Sequence, residues 1–308
     1  MEKSGKRFRS NGKLMLSGEY LVLHGALSLA VPTVFGQSLT VMEIEQAQTL
    51  LWKTKVVSKP WLDCEIDPHS WRVIHADEQD MALKLVQILK AASEIRGDEE
   101  WLKGKEVIAE VEFDIDWGLG SSSSLISNIA WWAGIDPFHL SGMVSGGSGY
   151  DIACARSDQP LLYRTGDVKP RYKPIDFLPP FHEQLAFVYL GKKQDSASSV
   201  RNFLNKALVR EKDISNISDI SEKLCRTGQL DEFEDLIKEH ENILSRILGL
   251  PPVKQGLFQD YHGGVKSLGA WGGDFVMITM HQEWPRVTAY FSAKGMETII
   301  PYHEMVKA

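Results

Sequence analysis

The spacing of hydrophobic and polar positions changes several times along the chain. In the first third, Lys13 to Leu16, Tyr20 to Leu23, Ser28 to Val34 and Ser38 to Ile44 are short apolar or alternating runs. Gly, Pro and Ser separate them, which predicts strands. Leu50 to Val57 and Trp71 to His75 add two more. From Met81 the period lengthens. Met81, Leu85, Ile88, Leu89 and Ala92 recur at helical spacing, so Met81 to Ile95 predicts an amphipathic helix. Val107 to Phe113 reads as a strand and Leu125 to Trp132 as a helix, with a second short helix from Ile152 to Ala155. Lys169 to His182 carries Pro170, Pro174, Pro179 and Pro180 and reads as a linker. Beyond it come a strand at Gln184 to Leu190 and helices at Ser199 to Leu208, Ser218 to Arg226 and Asp231 to Leu248. Strands follow at Phe275 to Met280, Val287 to Phe291 and Thr298 to Ile300. This order predicts α+β domains rather than a regular βαβ series, divided as residues 1–180 and 181–308.

Composition narrows the class. Of 308 residues, 43% are hydrophobic and 24% charged, which suits a globular chain with a substantial core. The net charge of −7 argues against nucleic acid as a partner. An anionic ligand must therefore be captured by local cations or backbone amides. Cys64, Cys154 and Cys225 are far apart and form no CxxC pair, so they read as reduced thiols. No apolar run is long enough for a bilayer, and the basic start has no apolar segment behind it. The expectation is a cytoplasmic protein with no membrane partner.

Four glycine-rich elements carry the candidate chemistry. In Trp117-Gly118-Leu119-Gly120-Ser121-Ser122-Ser123-Ser124, the two glycines admit torsions closed to other residues, and the serines then open a helix. Unpaired amides and the positive end of the helix dipole would meet at one point, an arrangement suited to a polyphosphate. No GK[ST] follows, so this is not a Walker A loop. By itself the element reads equally as a serine-rich turn or an N-cap. Gly146-Gly147-Ser148-Gly149-Tyr150-Asp151-Ile152-Ala153 sets one carboxylate at a tight turn entering an apolar helix, either as a cap or as a fixed acid. Gly269-Ala270-Trp271-Gly272-Gly273-Asp274 precedes a strand, as a hairpin connection or a small-residue wall against a substrate. Gly12 to Tyr20 places Lys13 beside a strand and Glu19 after a glycine turn.

Together, in this order, the four elements resemble the motifs of the GHMP kinases. GKLMLSGEYLVLHGALSLAVPT resembles the first motif, WGLGSSSSL the phosphate-binding second and SLGAWGGDF the third. GSGYDIACA is similar to a segment of phosphomevalonate kinases, and GYDIA is the hallmark of a bacterial subfamily. The resemblance spans Lys13 to Phe275. It implies a two-domain GHMP kinase fold, with an N-terminal domain like ribosomal protein S5 domain 2 and a ferredoxin-like C-terminal domain. ATP and a small-molecule acceptor would bind between them. It assigns Gly118, Leu119, Gly120, Ser121, Ser122 and Ser123 to the ATP phosphates, with Ser122 or Ser123 near Mg2+. Asp151 falls on the catalytic aspartate and Lys13 on its neighbouring lysine. Glu19 and Tyr20, with Ala270, Gly272 and Gly273, would lie on the acceptor side. For a phosphorylated acceptor, Lys192, Lys193 and Arg201 would add positive charge, with Ser196 and Ser198.

The implied activity is phosphoryl transfer to mevalonate or phosphomevalonate. The alternatives are a diphosphomevalonate decarboxylase and a non-catalytic nucleotide-binding sensor; a homodimer is left open. Three departures from the pattern stand out. Asp114-Ile115-Asp116-Trp117 occupies the place of a proline before the second motif. Trp271 replaces a glycine of the third, which predicts a differently shaped loop, since Trp tolerates positive φ poorly. The separate magnesium-binding glutamate of mevalonate kinases has no counterpart by spacing, with Asp116 and Asp136 the nearest candidates.

Overall fold

The computed structural model describes residues 5–44, 48–166, 169–192, 196–206 and 208–307. The chain forms two compact units. The first takes the chain up to Gly12, Phe35–Ile115 and Leu119–Arg156; the second takes Lys13–Val34, Asp116–Gly118 and everything from Ser157.

The first unit is built on β1 (Lys6–Ser17, its first half), β2 (Ser28–Glu43, its second half), β3 (Leu50–Val56), β4 (Lys59–Asp67), β5 (Arg72–Ala76) and β6 (Lys105–Val111). Its strands run in the order β5-β4-β3-β6-β2, with β3 parallel to β6 and the other neighbours antiparallel. Packed with them are α1 (Gln79–Arg96), α2 (Ser121–Ala133), α3 (Pro137–Val144) and α4 (Tyr150–Ala155). The pleat turns Val107, Ala109 and Val111 of β6 inward. α1 brings Ala82, Leu85, Val86, Leu89 and Ala92 to the same core, and α2 brings Ile126, Ile129 and Ala130. This mixed packing anchors the helices that carry the serine run and Asp151.

In the second unit, the early part of β2 pairs with β7 (Leu161–Arg164), which pairs with β8 (Arg171–Pro174). β9 (Leu185–Tyr189) is followed by α5 (Ser196–Lys206), α6 (Glu211–Leu224), α7 (Leu230–Leu248) and α8 (Val253–Leu257). Then come β10 (Val265–Ser267), β11 (Phe275–Thr279), α9 (Trp284–Ser292), β12 (Ile299–Pro301) and α10 (Tyr302–Met305). The antiparallel sheet has the order β10-β11-β9-β12. Strand, helices, hairpin, helix, strand in that spatial order is the ferredoxin-like arrangement.

Several expected elements change character. Val287 to Phe291 lies in helix α9, not in a strand. Its β-branched and aromatic residues suggested a strand, but Pro at the first turn starts a helix whose Val287 and Phe291 are buried one turn apart. Tyr20 to Leu23 is not a strand: Leu21–His24 is a short 3-10 turn ending on Gly25 in the left-handed region. β8 lies inside the proline-rich stretch read as a linker. Among the described residues no helix is long and apolar enough to cross a membrane. Cys64, Cys154 and Cys225 are free thiols.

Candidate functional site

Within the first unit, the serine run is the start of α2. Gly120 takes φ 88° and ψ 43° ahead of it, so the helix begins on a left-handed residue with no side-chain cap. Ser124 N–H makes the bond back to Gly120 O at 3.0 Å. The amides of Ser121, Ser122 and Ser123 precede any intrahelical partner and share the positive end of the dipole. Ser122 is exposed, Ser121 and Ser123 are half-buried, and Leu119 is sealed in the core. Beneath them the fourth serine faces inward: Ser124 Oγ donates to Gln37 Oε1 at 2.8 Å. One turn on, Ser10 Oγ donates to Asn128 Oδ1 and shares a hydroxyl–hydroxyl bond with Ser127 Oγ, both at 2.9 Å, and Asn128 Nδ2 donates to Gln37 O at 2.8 Å. These buried polar bonds fix the rotation of α2, and with it the direction of its first amides.

Asp151 stands at the second position of α4, behind Gly149 at φ 82°. Its Oδ1 accepts from the Ile152 amide at 3.0 Å, and its Oδ2 accepts a short hydrogen bond from Ser123 Oγ. Two motifs 28 residues apart in sequence are thus joined hydroxyl to carboxylate, which the sequence pattern does not reveal.

Within the second unit, Lys13 is half-buried on β1 and its Nζ donates to Gly118 O at 2.8 Å. Gly118 sits at φ 66°, and a Cβ there would meet Asp274 Oδ2 at 2.3 Å, so only glycine fits beside that carboxylate. Asp274 is itself at φ 50° and buried, its N–H on Lys192 O and its O on Leu190 N–H, both at 2.8 Å. Positive φ in this loop falls on Gly269, Gly272 and Asp274, not on Trp271. The tryptophan is therefore accommodated without left-handed backbone. Its indole Nε1 donates to Pro251 O at 3.1 Å and its amide donates to Tyr20 Oη at 2.8 Å. Ala270 and Gly273 are buried and Gly272 half-buried in the same turn.

Tyr20 is buried at φ 63°, tilted against Phe203, and burial pushes its phenol up. Glu19 is only 4% exposed, its Oε1 accepting from Lys266 Nζ at 2.6 Å. Lys192 is exposed, and exposed Arg201 donates to Ser198 Oγ at 2.8 Å. Lys193 and the side chain of Ser196 lie outside the described residues. Asp136 caps α3, accepting from the amides of Phe138 and His139 at 2.8 and 3.3 Å.

No family model matches the chain, and no curated protein matches it in sequence. Solved structures do match in fold. The mevalonate kinase of L. major, in complex with R-mevalonate, aligns over 96% of this chain and 93% of its own at 16% identity, with a TM-score of 0.69. The Streptococcus pneumoniae phosphomevalonate kinase, in complex with phosphomevalonate and AMPPNP, aligns over 96% and 99% at 15% identity, with a TM-score of 0.70. The chain has the GHMP kinase fold. The mevalonate diphosphate decarboxylase of Enterococcus faecalis shares it over 96% and 95%, at 13% identity and a TM-score of 0.58.

Sequence reasoning missed Lys266, His240 and Glu241, which surround Glu19. A signal was there. His240 and Glu241 fall on the stripe Phe233, Leu236, Ile237, Ile243, Leu244 that α7 buries, and Lys266 lies in a strand with every residue buried. Polar residues at core positions require buried partners.

Proposed function

We propose that this protein is an ATP-dependent small-molecule kinase that transfers the γ-phosphoryl group to a mevalonate-type acceptor, mevalonate or phosphomevalonate. One observation carries the reading: the hydroxyl of Ser123, at the open start of α2, rests on the carboxylate of Asp151. Amides suited to phosphate oxygens and an acid suited to an acceptor hydroxyl thus lie one hydrogen bond apart.

In this reading the amides of Ser121, Ser122 and Ser123 take the phosphates of ATP, and the torsions of Gly118 and Gly120 bring backbone close to them. Phosphoryl transfer asks chiefly for alignment and charge neutralisation. Asp151 accepts the proton of an acceptor hydroxyl, a step worth roughly 10²–10⁴ in rate. Lys13, anchored on Gly118 O, holds positive charge beside the first glycine of the loop. Glu19 and Tyr20 support the acceptor side together with the turn containing Ala270, Gly272 and Gly273, and Lys192 adds charge there for a phosphorylated acceptor.

The donors on hand also fit Mg2+. Among the described residues no group of three or more His, Cys, Asp or Glu side chains is placed to hold a metal, as a softer or fully caged ion would need. Serine hydroxyls at a helix start suit a hard cation that keeps waters and takes its other ligands from phosphates. Ser122 and Ser123 would hold it, and it would neutralise charge on the transferred group.

The test is ADP release by purified protein with ATP, Mg2+ and each acceptor in turn. Turnover with mevalonate or phosphomevalonate is expected. ADP with neither removes the proposed activity, and carbon dioxide release from diphosphomevalonate would replace it with the decarboxylase reaction. Nucleotide binding without any turnover would mark a sensor.

A further inference from the structure

Lys266 is fully buried in the second unit, with no exposure, in the middle of β10. Its ammonium has three neighbours: Glu19 Oε1 at 2.6 Å, Ser267 O at 2.9 Å and Glu241 Oε1 at 3.9 Å. His240 completes the group, its Nε2 3.0 Å from the Gly18 amide and 3.2 Å from Glu19 Oε2. The Gly18 N–H points at that nitrogen, so Nε2 is an acceptor, the ring proton is on Nδ1 and the imidazole is neutral. Burial, reinforced by Lys266, pulls His240 down to about 4, in keeping with this. Among the described residues no donor reaches Glu19 Oε2. The compensation of Glu19 therefore falls on Lys266. Burial alone would push the Glu19 carboxyl up, yet Lys266, with His240 beside it, holds it below its ordinary range.

A buried ion pair of this kind is costly to assemble and gives no assurance of stability. What it does secure is position. Glu19 O accepts from Leu21 N–H at 2.7 Å, and between them Tyr20 is forced to φ 63°. A residue with a side chain holds such a torsion only when its surroundings impose it. Here the constraint ends in a functional contact, because the Tyr20 hydroxyl accepts the Trp271 amide of the third glycine-rich turn. Three residues further, Asp274 lies against Gly118.

We infer that Lys266 is a positioning residue of the phosphotransfer site: by pinning Glu19 it sets Tyr20, and Tyr20 sets the turn from Gly269 to Asp274. Glu19 then serves through Lys266 and Tyr20 and not by touching the acceptor. The inference rests on the kinase reading for its catalytic consequence, but the positional part stands apart from it.

The experiment is a double-mutant cycle on the whole chain with Lys266→Met, Tyr20→Phe and the two combined. It reads kcat, KM for ATP, and amide hydrogen exchange across residues 269–274. Each single change is expected to speed exchange in that segment and to lower kcat by about 100-fold, the scale of a misplaced reacting group, with the KM for ATP within about threefold. The combined variant is expected to lose no more than either single one, because both act through one contact. Losses that multiply, or unchanged exchange in both singles, overturn the inference. Tyr20→Phe removes one hydroxyl and keeps the buried pair, so unchanged exchange in that variant overturns the inference even if Lys266→Met does not fold. If the wild-type protein releases no ADP, the kinase reading fails while the exchange data still decide the positional claim.

Discussion

Asp151 has two oxygens with different duties. Oδ1 is tied to the start of its own helix, and Oδ2 faces the Ser123 hydroxyl. Replacing Asp151 with Asn keeps the shape and the first bond but removes the basic oxygen. The expected result is a fall in kcat of roughly 10²–10⁴-fold, with ATP affinity by titration essentially unchanged. Loss of both together would point to a phosphate-binding role for the carboxylate. Gly118 offers a second check. An alanine there meets Asp274 Oδ2 at 2.3 Å in a left-handed torsion, so Gly118→Ala should lower the melting temperature and raise the KM for ATP. Adding Asp274→Ala removes the carboxylate clash but leaves the torsional strain, so the double variant should recover part of the stability. No recovery would mean that the close approach is not what excludes a side chain.

At the scale of elements, α2 is held by polar groups as much as by its apolar face. Asn128, Ser10, Ser124 and Gln37 bond to one another where water cannot reach. Asn128→Leu takes its amide donor from buried Gln37 O and leaves Ser10 Oγ only Ser127, at a cost of roughly 1–3 kcal/mol, readable by urea denaturation. A change under about half a kcal/mol would mean the spine is not needed to seat the helix. Much of this architecture was legible. The amphipathic helix around Leu85 and Leu89, the strands β1, β2, β3, β5, β6, β9, β11 and β12 and the four glycine-rich turns follow from period and punctuation, whereas β4, β7, β8 and β10 do not stand out in the pattern, and Tyr20 to Leu23 and Val287 to Phe291 imitate strands without forming them. The apolar period marks α2 only from Leu125, because serines are weak helix formers, whereas the glycine-serine turn itself points to the helix start that the structure has at Ser121. α9 was missed because its residues favour strands locally, while the sheet needs a helix there. The Ser123–Asp151 contact and the group around Lys266 depend on tertiary placement, so residue types alone could suggest them only in part.

For the molecule as a whole, the buried group sets a pH dependence of stability. Burial pushes the Glu241 carboxyl up from 4.5 to about 7. The folded chain therefore holds that proton more tightly, and the stabilisation is complete below pH 4.5 and lost as pH rises through about 7. His240 acts in the opposite sense. Pulled from 6.5 to about 4, it contributes fully above pH 6.5 and loses that contribution as pH falls through 4. Between pH 4.5 and 6.5 the two slopes oppose each other; from 6.5 to about 7, Glu241 acts without that opposition. The melting temperature should thus decline from pH 6.5 toward 7.5, and Glu241→Gln should flatten that decline. An equal decline in the variant would assign it to other groups.

The ring of Trp117 adjoins the first glycine of the serine loop and stands edge-on to Phe275, with centroids 5.7 Å apart. Indole emission responds to the polarity and packing around the ring, so a natural fluorophore stands one residue before Gly118, the anchor of Lys13 and the first glycine of the loop. Titrating ATP should therefore shift the intrinsic emission of the unlabelled protein, and Trp117→Phe should abolish most of that signal while the other eight tryptophans remain as background. Such a label-free readout would time the arrival of nucleotide at the loop before any phosphoryl group has moved.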